Sequence, residues 1–382
     1  MLWEYDDPAL WRVYAAGLSV ADGRLQIGAG EIKAKVPRTR RGAVALHVAR
    51  KHDLLVGQTA LTCGPLTDFS PLQGVSELTR LEGMPCPDLT DLAALAMLPA
   101  LQHLKLGAAG RLQDLRPLSA LTQLRSLELL GCAMLTDLSP LGALSHLQRF
   151  RLSATALSSL VGLDRLDALE VLVCTNMRSV TDLSPLAAMT SLTSLSFQIA
   201  TQLTDVGPLS ALTGLTDLNL SGSYALTDVT PLAALGNLRT LDLGNCRSLA
   251  RLDGLSELRS LETLVLSTTP MLRDLRPLAS LGALKRLTLK GASRPPSTLR
   301  DLTGLEGLTA LEELDLERCP ITDLRPLAKL HALRSLDLRG CEATDLSPLA
   351  ELASLRNLDI RACPGLTDLR PLAGLRRLRI RH

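Results

Sequence analysis

Leucines recur at short, regular intervals along almost the whole chain, and their spacing changes within each interval. In the segment TDLSPLAELASLRNLDIRACP, Leu349, Leu352 and Leu355 lie three residues apart, whereas Leu358 and Ile360 alternate with polar residues. A spacing of three fits a 3₁₀ helix better than an α-helix with 3.6 residues per turn. Alternation is typical of a strand with one buried face. The pattern therefore predicts a short 3₁₀ helix and a short strand in every interval.

Aspartates mark the period of this pattern. Counted from Asp68, equivalent positions follow at intervals of 22 or 23 residues, with a single interval of 27. So regular a series indicates fourteen structural repeats, and strands that recur in one direction must pair in parallel. The marker positions are Asp68, Asp91, Asp114, Asp137, Ser159, Asp182, Asp205, Asp228, Arg251, Asp274, Asp301, Asp323, Asp345 and Asp368.

The residues after each marker predict how the helix begins. The aspartate is expected to accept hydrogen bonds from nearby backbone N–H groups. Pro348 and its equivalents fit the first helical position, where a missing N–H costs little. A ladder of cations along the aspartates is the alternative, but Ser159 and Arg251 replace two of them. The serines expected as N-caps are Ser70, Ser139, Ser184 and Ser347.

These motifs resemble the leucine-rich repeat of the short bacterial, internalin-like class, whose pattern is LxxLxLxxNxLxDLxPL. The resemblance covers residues 54–382. It implies an α/β fold: a right-handed, horseshoe-shaped solenoid with a concave parallel β-sheet and short 3₁₀ or helical segments on the convex side. The resemblance leaves the function open, because this fold serves many unrelated tasks.

At the asparagine position of that pattern this sequence carries mostly small residues, six of them cysteines. We expect a buried stack in which thiols act as small apolar groups. A metal-binding thiolate ladder is the alternative, but no His or acidic partner stands at a suitable spacing. Cys174 takes a strand leucine position and is predicted to lie in the core. The column is Cys86, Ala109, Cys132, Thr155, Ala200, Ser223, Cys246, Thr269, Ala292, Cys319, Cys341 and Cys363.

Composition narrows the classes of protein that remain. Lys and Arg number 41 against 39 Asp and Glu, a net charge of +2, which excludes a polyanion-binding protein on bulk charge alone. Leucine makes up about a quarter of the chain and aromatics only 2%, as expected for stacked repeats. The Ala-, Leu- and Arg-rich composition indicates a bacterial source.

The chain lacks recognisable targeting features. Acidic residues stand near the N-terminus where a secretory signal carries basic ones. The longest uncharged stretch, residues 183–204, is rich in polar residues and fits the repeat rather than a membrane span. We therefore expect a cytoplasmic protein without membrane contact.

Residues 1–53 do not follow the repeat, and we interpret them as an N-terminal cap or docking region ahead of the repeat domain at 54–382. A helix is predicted from Pro8 to Gly17, and Asp22-Gly23 predicts a hairpin turn between LSVA and RLQI. As a cap, this region would cover the first repeat with the rings of Trp3, Tyr5, Trp11 and Tyr14.

Two charged segments lie near the ends of the chain. A basic run within residues 33–51 is typical of a solvated surface, and nucleic-acid contact is its alternative. Near the C-terminus, Arg376, Arg377, Arg379 and Arg381 are expected to shield an open sheet edge. The strand of that last repeat is predicted at Leu378–Ile380, three residues early, which places Arg379 beside Asp359.

The outward strand positions define the candidate binding surface. Asp315, Asp337 and Asp359 are expected on neighbouring strands, where like charges repel. Either Arg339 and Arg361 compensate them, or a basic segment of a partner does. Arg294 lies in the insertion that causes the 27-residue interval, and Tyr224 is an isolated aromatic expected to be exposed. The predicted partner-binding residues are Val171, Val173, Gln198, Asn219, Tyr224, Asp242, Val265, Arg294, Asp315, Asp337, Arg339, Asp359 and Arg361.

No motif for phosphate binding, metal hydrolysis or nucleophilic catalysis is found, and the histidines do not cluster in sequence. No catalytic residue, metal ligand or cofactor is predicted. The chain is expected to be a non-catalytic scaffold that binds a protein on its concave face. A regulatory or inhibitory subunit that contacts an enzyme or toxin through residues 1–53 is the alternative, and nucleic-acid association through the basic run is a third possibility. The oligomeric state is left open.

Overall fold

The structure is a computed structural model that describes residues 18–21, 24–27, 60–63, 69–83, 85–153, 156–292, 294 and 296–382. The chain divides into two compact units, Met1–Met177 and Arg178–His382. Within the described residues, no helix has the length and apolar character required to cross a membrane.

The N-terminal unit begins with an antiparallel hairpin. Strand β1 (Leu18–Ala21) pairs with β2 (Arg24–Ile27), and two residues connect them. The predicted hairpin around Asp22-Gly23 is thereby confirmed. The predicted helix, the four aromatic rings and the basic run of residues 1–53 lie outside the described residues.

The other strands of the N-terminal unit pair in parallel and follow one another in chain order. The first of them, Ala60–Cys63, was not predicted, because Leu61 is the only leucine in its ALTC sequence. Its Thr62 lies in register with Glu82 of the next strand. The six strands are β3 (Ala60–Cys63), β4 (Arg80–Gly83), β5 (His103–Gly107), β6 (Ser126–Leu130), β7 (Arg149–Ser153) and β8 (Val171–Thr175).

The C-terminal unit repeats this arrangement with shorter strands, which also pair in parallel in chain order. The parallel pairing confirms the direction that the repeat predicted. The strands are β9 (Ser194–Gln198), β10 (Asp217–Asn219), β11 (Thr240–Asp242), β12 (Thr263–Val265), β13 (Arg286–Thr288), β14 (Glu313–Asp315), β15 (Ser335–Asp337), β16 (Asn357–Asp359) and β17 (Arg379–Arg381).

The register of β17 differs from the prediction. Arg381, not Arg379, lies in register with Asp359. The N–H of Leu378 bonds the carbonyl of Leu375, as the N–H of Leu355 bonds that of Leu352 in the repeat before. Leu378 therefore closes the turn before the strand instead of beginning the strand.

Short 3₁₀ helices follow the marker positions, as the three-residue spacing predicted. In the N-terminal unit they are Ser70–Leu72, Ala93–Met97, Arg116–Ala120, Ser139–Ala143 and Leu163–Arg165. In the C-terminal unit they are Ser184–Ala188, Gly207–Ala211, Thr230–Ala234, Leu255–Glu257, Arg276–Leu278, Arg325–Leu327, Ser347–Leu349 and Arg370–Leu372.

The prediction that serines cap these helices is wrong. The helix Ser347–Leu349 begins at the serine itself, so the proline is its second residue. Leu346 is its N-cap and makes no side-chain capping bond. The same shift applies at Ser70, Ser139 and Ser184. The preceding aspartate takes the place of the cap, because Asp345 Oδ1 accepts the N–H of Ser347 at 2.8 Å.

The predicted structural role of the marker aspartates is confirmed. In eleven repeats, the described aspartate accepts the backbone N–H two residues further along. The Ser159 hydroxyl accepts the equivalent N–H of Val161 at 3.2 Å. In DLRPL repeats the arginine also holds the carboxylate with its guanidinium, as Arg370 does for Asp368. This bonding lowers the pKa of Asp368 to about 2.

The core of each repeat is a layer of leucines at the predicted positions. Leu349, Leu352, Leu355 and Leu358 are at most 1% exposed. Removing such a side chain in other proteins costs about 2–5 kcal/mol. Phe150 and Phe197 replace strand leucines and are fully buried, as predicted, as is Cys174.

The cysteine column forms the predicted buried stack. The Cys363 thiol lies 2.8 Å from the carbonyl oxygen of Leu338, and that of Cys341 lies 3.3 Å from the carbonyl of Leu316. Each thiol thereby reaches the backbone of the preceding repeat. Burial raises the pKa of Cys132 and of Cys246 to about 12, which keeps these thiols protonated.

Candidate protein-binding face

The outward side chains of the C-terminal strands form three rows. Parallel register places each middle outward residue beside its counterpart on the next strand. We call residues two positions earlier the entry row, residues two positions later the exit row, and the three rows together the strand face. The middle row is Ser196, Asn219, Asp242, Val265, Thr288, Asp315, Asp337, Asp359 and Arg381.

The other two rows flank the middle row. The entry row is Ser194, Asp217, Thr240, Thr263, Arg286, Glu313, Ser335, Asn357 and Arg379. The exit row is Gln198, Ser221, Gly244, Ser267, Lys290, Glu317, Arg339 and Arg361.

Backbone N–H groups hold the polar side chains of the middle row. Asn219, Asp242, Asp315, Asp337 and Asp359 each accept, through Oδ1, the N–H two residues further along, at distances from 2.8 to 3.2 Å. The second carboxylate oxygen of each aspartate takes no part in that bond. These side chains therefore have little conformational freedom left to lose on binding.

Exit-row arginines neutralise two of the three neighbouring aspartates. Arg339 donates from Nε to Asp337 Oδ2 at 2.9 Å, and Arg361 donates from Nη2 to Asp359 Oδ2 at 2.7 Å. The bonds from Arg361 lower the pKa of Asp359. Of the two explanations for the acidic run, compensation within the chain therefore accounts for Asp337 and Asp359.

Glu317 is a buried carboxylate at the centre of an ion-pair network, and its side chain is only 7% exposed. Its Oε2 lies 2.6 Å from Arg339 Nη2 and 2.7 Å from Lys290 Nζ. Arg318 approaches Oε1 at 3.6 Å. Glu317 thus joins side chains from three successive repeats.

Glu317 was not predicted as a site residue. It stands one repeat before Arg339 in the same row, so continuing that row would have reached it. Asp315, Glu317 and Asp337 each offer a carboxylate oxygen, and these atoms lie within 4.8 Å of one another. Lys290 and Arg339 supply the positive charge at this place.

Asp242 and Asp315 differ from the other middle-row aspartates. No Lys or Arg nitrogen of the described residues lies within 4.0 Å of either carboxylate. Burial raises the pKa of Asp242, against the N–H of Gly244. Burial also raises the pKa of Asp315, with the charges of Asp337 and Glu317 adding to it and the N–H of Glu317 and the charge of Lys290 acting against it. Asn219 Nδ2 donates to Asp242 Oδ2 at 3.2 Å.

Most of the remaining predicted residues lie at or beside the strand face. Gln198 is half-buried and donates to the Ser196 hydroxyl at 3.0 Å. Val265 is half-buried in the middle row. Arg294 lies in the insertion and is exposed.

Tyr224 is not freely exposed, in contrast to the prediction. It is half-buried, and the guanidinium of Arg247 lies 4.5 Å from its ring centroid. One face of the ring is therefore covered by a cation of the same chain.

Val171 and Val173 belong to the N-terminal unit. Both are half-buried on β8, in register with Arg149 and Arg151 of β7. The outward row of this unit carries charges of alternating sign at Glu82, Lys105, Glu128 and Arg151.

In that row Lys105 Nζ lies 3.7 Å from Glu128 Oε2, whereas Glu82 pairs with Arg80 of its own strand. His103, also outward on β5, has a lowered pKa because it is partly buried and lies near arginines.

A second charged row was not predicted. Its residues come one position before those of the entry row in the chain. Glu262 pairs with Arg239 of the repeat before it at 2.9 Å and with Lys285 of the repeat after it at 2.7 Å. Because each exposed ion pair contributes little to stability, this row mainly sets the charge pattern at the border of the strand face.

Comparison with known proteins agrees with this architecture. A family model described as leucine-rich repeats (2 copies) matches residues 309–351. The repeat geometry above extends the same pattern over the described strands of both units. The chain is a leucine-rich-repeat protein. No curated protein sequence matches it significantly.

Solved structures share the fold of this leucine-rich-repeat protein. An internalin from Listeria monocytogenes is 22% identical with a TM-score of 0.66, covering 91% of this chain and 98% of that one. A leucine-rich-repeat protein from Leptospira interrogans is 19% identical with a TM-score of 0.65, covering 85% and 90%.

Toll, in its complex with Spätzle from Drosophila, is 21% identical with a TM-score of 0.66, covering 87% of this chain and 51% of that one. At these identities the likeness establishes the fold. The leucine-rich-repeat fold is a common protein–protein interaction scaffold.

Proposed function

We propose that this leucine-rich-repeat protein is a non-catalytic scaffold that binds a protein partner on the strand face of its C-terminal unit. The observation that carries the proposal is the middle row from Asn219 to Asp359. Its polar side chains are fixed by backbone N–H groups and stand side by side on successive strands.

The size of this surface supports a protein partner. Neighbouring strands lie about 4.8 Å apart, so seven strands from β10 to β16 span roughly 30 Å. A standard protein interface buries about 800 Å² on each side. Three rows of side chains over that length offer a comparable area.

The chemistry of the surface also supports this role. Val265 and Thr288 give the middle of the row an uncharged part, while aspartates and arginines lie towards β16. Interfaces commonly combine a less charged centre with a polar rim. Toll, which has the same fold, binds the protein Spätzle. A cytoplasmic location in a bacterium remains part of the proposal, on the sequence evidence given above.

Site-specific photo-crosslinking tests the proposal. A benzophenone amino acid is placed at Thr288 on the strand face or at Ala211, which is exposed in the helix Gly207–Ala211, and adducts formed in the native host are identified by mass spectrometry. We expect a protein adduct from position 288 that is absent from position 211 and is lost with Val265→Arg.

The same adducts from both positions, adducts from position 211 alone, or no protein adduct from position 288 would contradict the proposal. Circular dichroism of each variant confirms that the repeats remain folded.

A further inference from the structure

Two aspartates of the middle row, Asp242 and Asp315, differ from the others in their ion pairing. Asp337 and Asp359 have arginines of the exit row as partners. Asp242 and Asp315 have no cation of the described residues within 4.0 Å, although both are half-buried. Lys290 lies near enough to Asp315 to lower its pKa but is paired with Glu317. A half-buried carboxylate without an ion pair of its own favours binding of a cation from outside the chain.

The register of four strands defines the space between these carboxylates. Asp242 is in register with Val265, Val265 with Thr288, and Thr288 with Asp315. Three strand separations of about 4.8 Å place the two aspartates roughly 14 Å apart. The residues between them, Val265 and Thr288, are uncharged and half-buried.

This distance selects one kind of ligand backbone. In an extended segment, residues four apart point to the same side and are separated by about 13.5 Å. In an α-helix, residues that share a side are separated by about 10.5 Å at seven positions or about 16.5 Å at eleven. An extended segment therefore matches the two carboxylates best, and its intervening same-side residue would face Val265 and Thr288.

Resting on the function proposed above, we propose that Asp242 and Asp315 bind two lysine or arginine side chains, four residues apart, in an extended segment of the partner protein. A small apolar side chain midway between the two cations packs on Val265. The raised pKa of both aspartates agrees with this assignment, because a bound cation would relieve the cost of their burial.

Labelled nine-residue peptides test the spacing. The first peptide, GSKTVTKSG, carries lysines four positions apart around a valine, and GSKTKTVSG carries them two positions apart with the same composition. Fluorescence anisotropy with the full chain is expected to give at least threefold tighter binding for the four-residue spacing. Equal binding of the two peptides, or no binding of either at millimolar concentration, would overturn the inference.

Matched variants test the two aspartates. Asp242→Asn and Asp315→Asn are each expected to weaken binding of GSKTVTKSG at least threefold, and the double variant to abolish the preference for spacing. Asp368→Asn, on the helix side, removes an exposed carboxylate paired with Arg370 and is expected to leave binding unchanged. Equal weakening by all three variants would show a nonspecific charge effect and contradict the assignment.

The crosslinking experiment separates this inference from the proposed function. In one outcome, position 288 captures a protein and the double variant with Asp242→Asn and Asp315→Asn leaves that capture unchanged. The inference of a basic segment is then wrong, and the scaffold function stands. If position 288 captures no protein but the peptides still discriminate by spacing, the scaffold function fails alone.

Discussion

The guanidinium of Arg339 lies 2.6 Å from the carboxylate of Glu317, whose side chain is almost completely buried. Arg339 itself remains about one-third exposed, at 35%. The pair therefore places a fixed cation at the surface above a buried anion. Because Arg339 also bonds Asp337, this contact connects the exit row with the middle row.

Replacing Glu317 tests how much this network stabilises the strand face. Glu317→Gln is expected to lower the free energy of unfolding by about 2 kcal/mol, because Lys290 and Arg339 lose the charge between them. Glu313→Gln, on the exposed entry row of the same repeat, is the control and is expected to change stability by less than about 0.5 kcal/mol. Chemical denaturation of both variants measures the difference, and equal effects would show that the network contributes little.

Asp315 and Asp359 are expected to affect stability in opposite directions at neutral pH. Burial raises the pKa of Asp315 in the folded chain, so its ionised form opposes folding, and this loss disappears as the pH falls below its ordinary value of 3.8. Arg361 lowers the pKa of Asp359, so its ionised form supports folding, and this support is lost as the pH falls through the lowered pKa.

Asp315→Asn is therefore expected to stabilise the chain at pH 7, and Asp359→Asn to destabilise it, each by less than about 1 kcal/mol. Unfolding midpoints are measured from pH 7 to pH 3. The midpoints of both variants should approach that of the wild type at the acidic end. Effects of the same sign at pH 7 would contradict the pairing seen on the strand face.

Gly254 is expected to be essential for the packing of two successive repeats. Its φ of +89° favours glycine, and a Cβ there would lie 2.7 Å from the Thr230 carbonyl oxygen and 2.8 Å from Thr230 Cα. Gly254→Ala is expected to cost about 2 kcal/mol or more. Gly236→Ala is the control, because nothing lies within 4 Å of its added Cβ. A thermal melt distinguishes the variants, and equal melting temperatures would show that the backbone adapts freely.

The buried cysteines are expected to resist alkylation in the folded protein. Burial raises the pKa of Cys132, Cys174 and Cys246 to about 12, so almost no thiolate is present at pH 8. Iodoacetamide should modify them only after denaturation, which peptide mapping by mass spectrometry measures. Rapid modification of Cys174 in the native chain would show that the repeat containing it opens.

Local patterns account for what the sequence predicted well. The spacing of Leu349, Leu352 and Leu355 and the alternation at Leu358 each express the geometry of a single short element. The period of 22 or 23 residues then fixes the parallel order of the strands. The bond of Asp345 to the N–H of Ser347 likewise spans two residues. Such features depend on neighbouring residues in the chain and could therefore be predicted from the sequence.

Features that depend on contacts between repeats were predicted poorly. Glu317 is buried because Lys290 and Arg339, from the repeats on either side, lie above it. Tyr224 is covered by Arg247, which belongs to the next repeat.

The sequence by itself determined the repeat, the direction of its strands and the side on which each residue lies, because these follow from periods of two, three and 22 or 23 residues. Only the tertiary structure decided which aspartates of the middle row are neutralised. Asp315 and Asp337 occupy equivalent positions in similar repeats, yet Arg339 holds one and no cation of the described residues holds the other. Arg339 bonds Asp337 of its own repeat and Glu317 of the repeat before, whereas Lys290 pairs with Glu317 and lies more than 4.0 Å from Asp315. These distances between side chains of different repeats are set by packing.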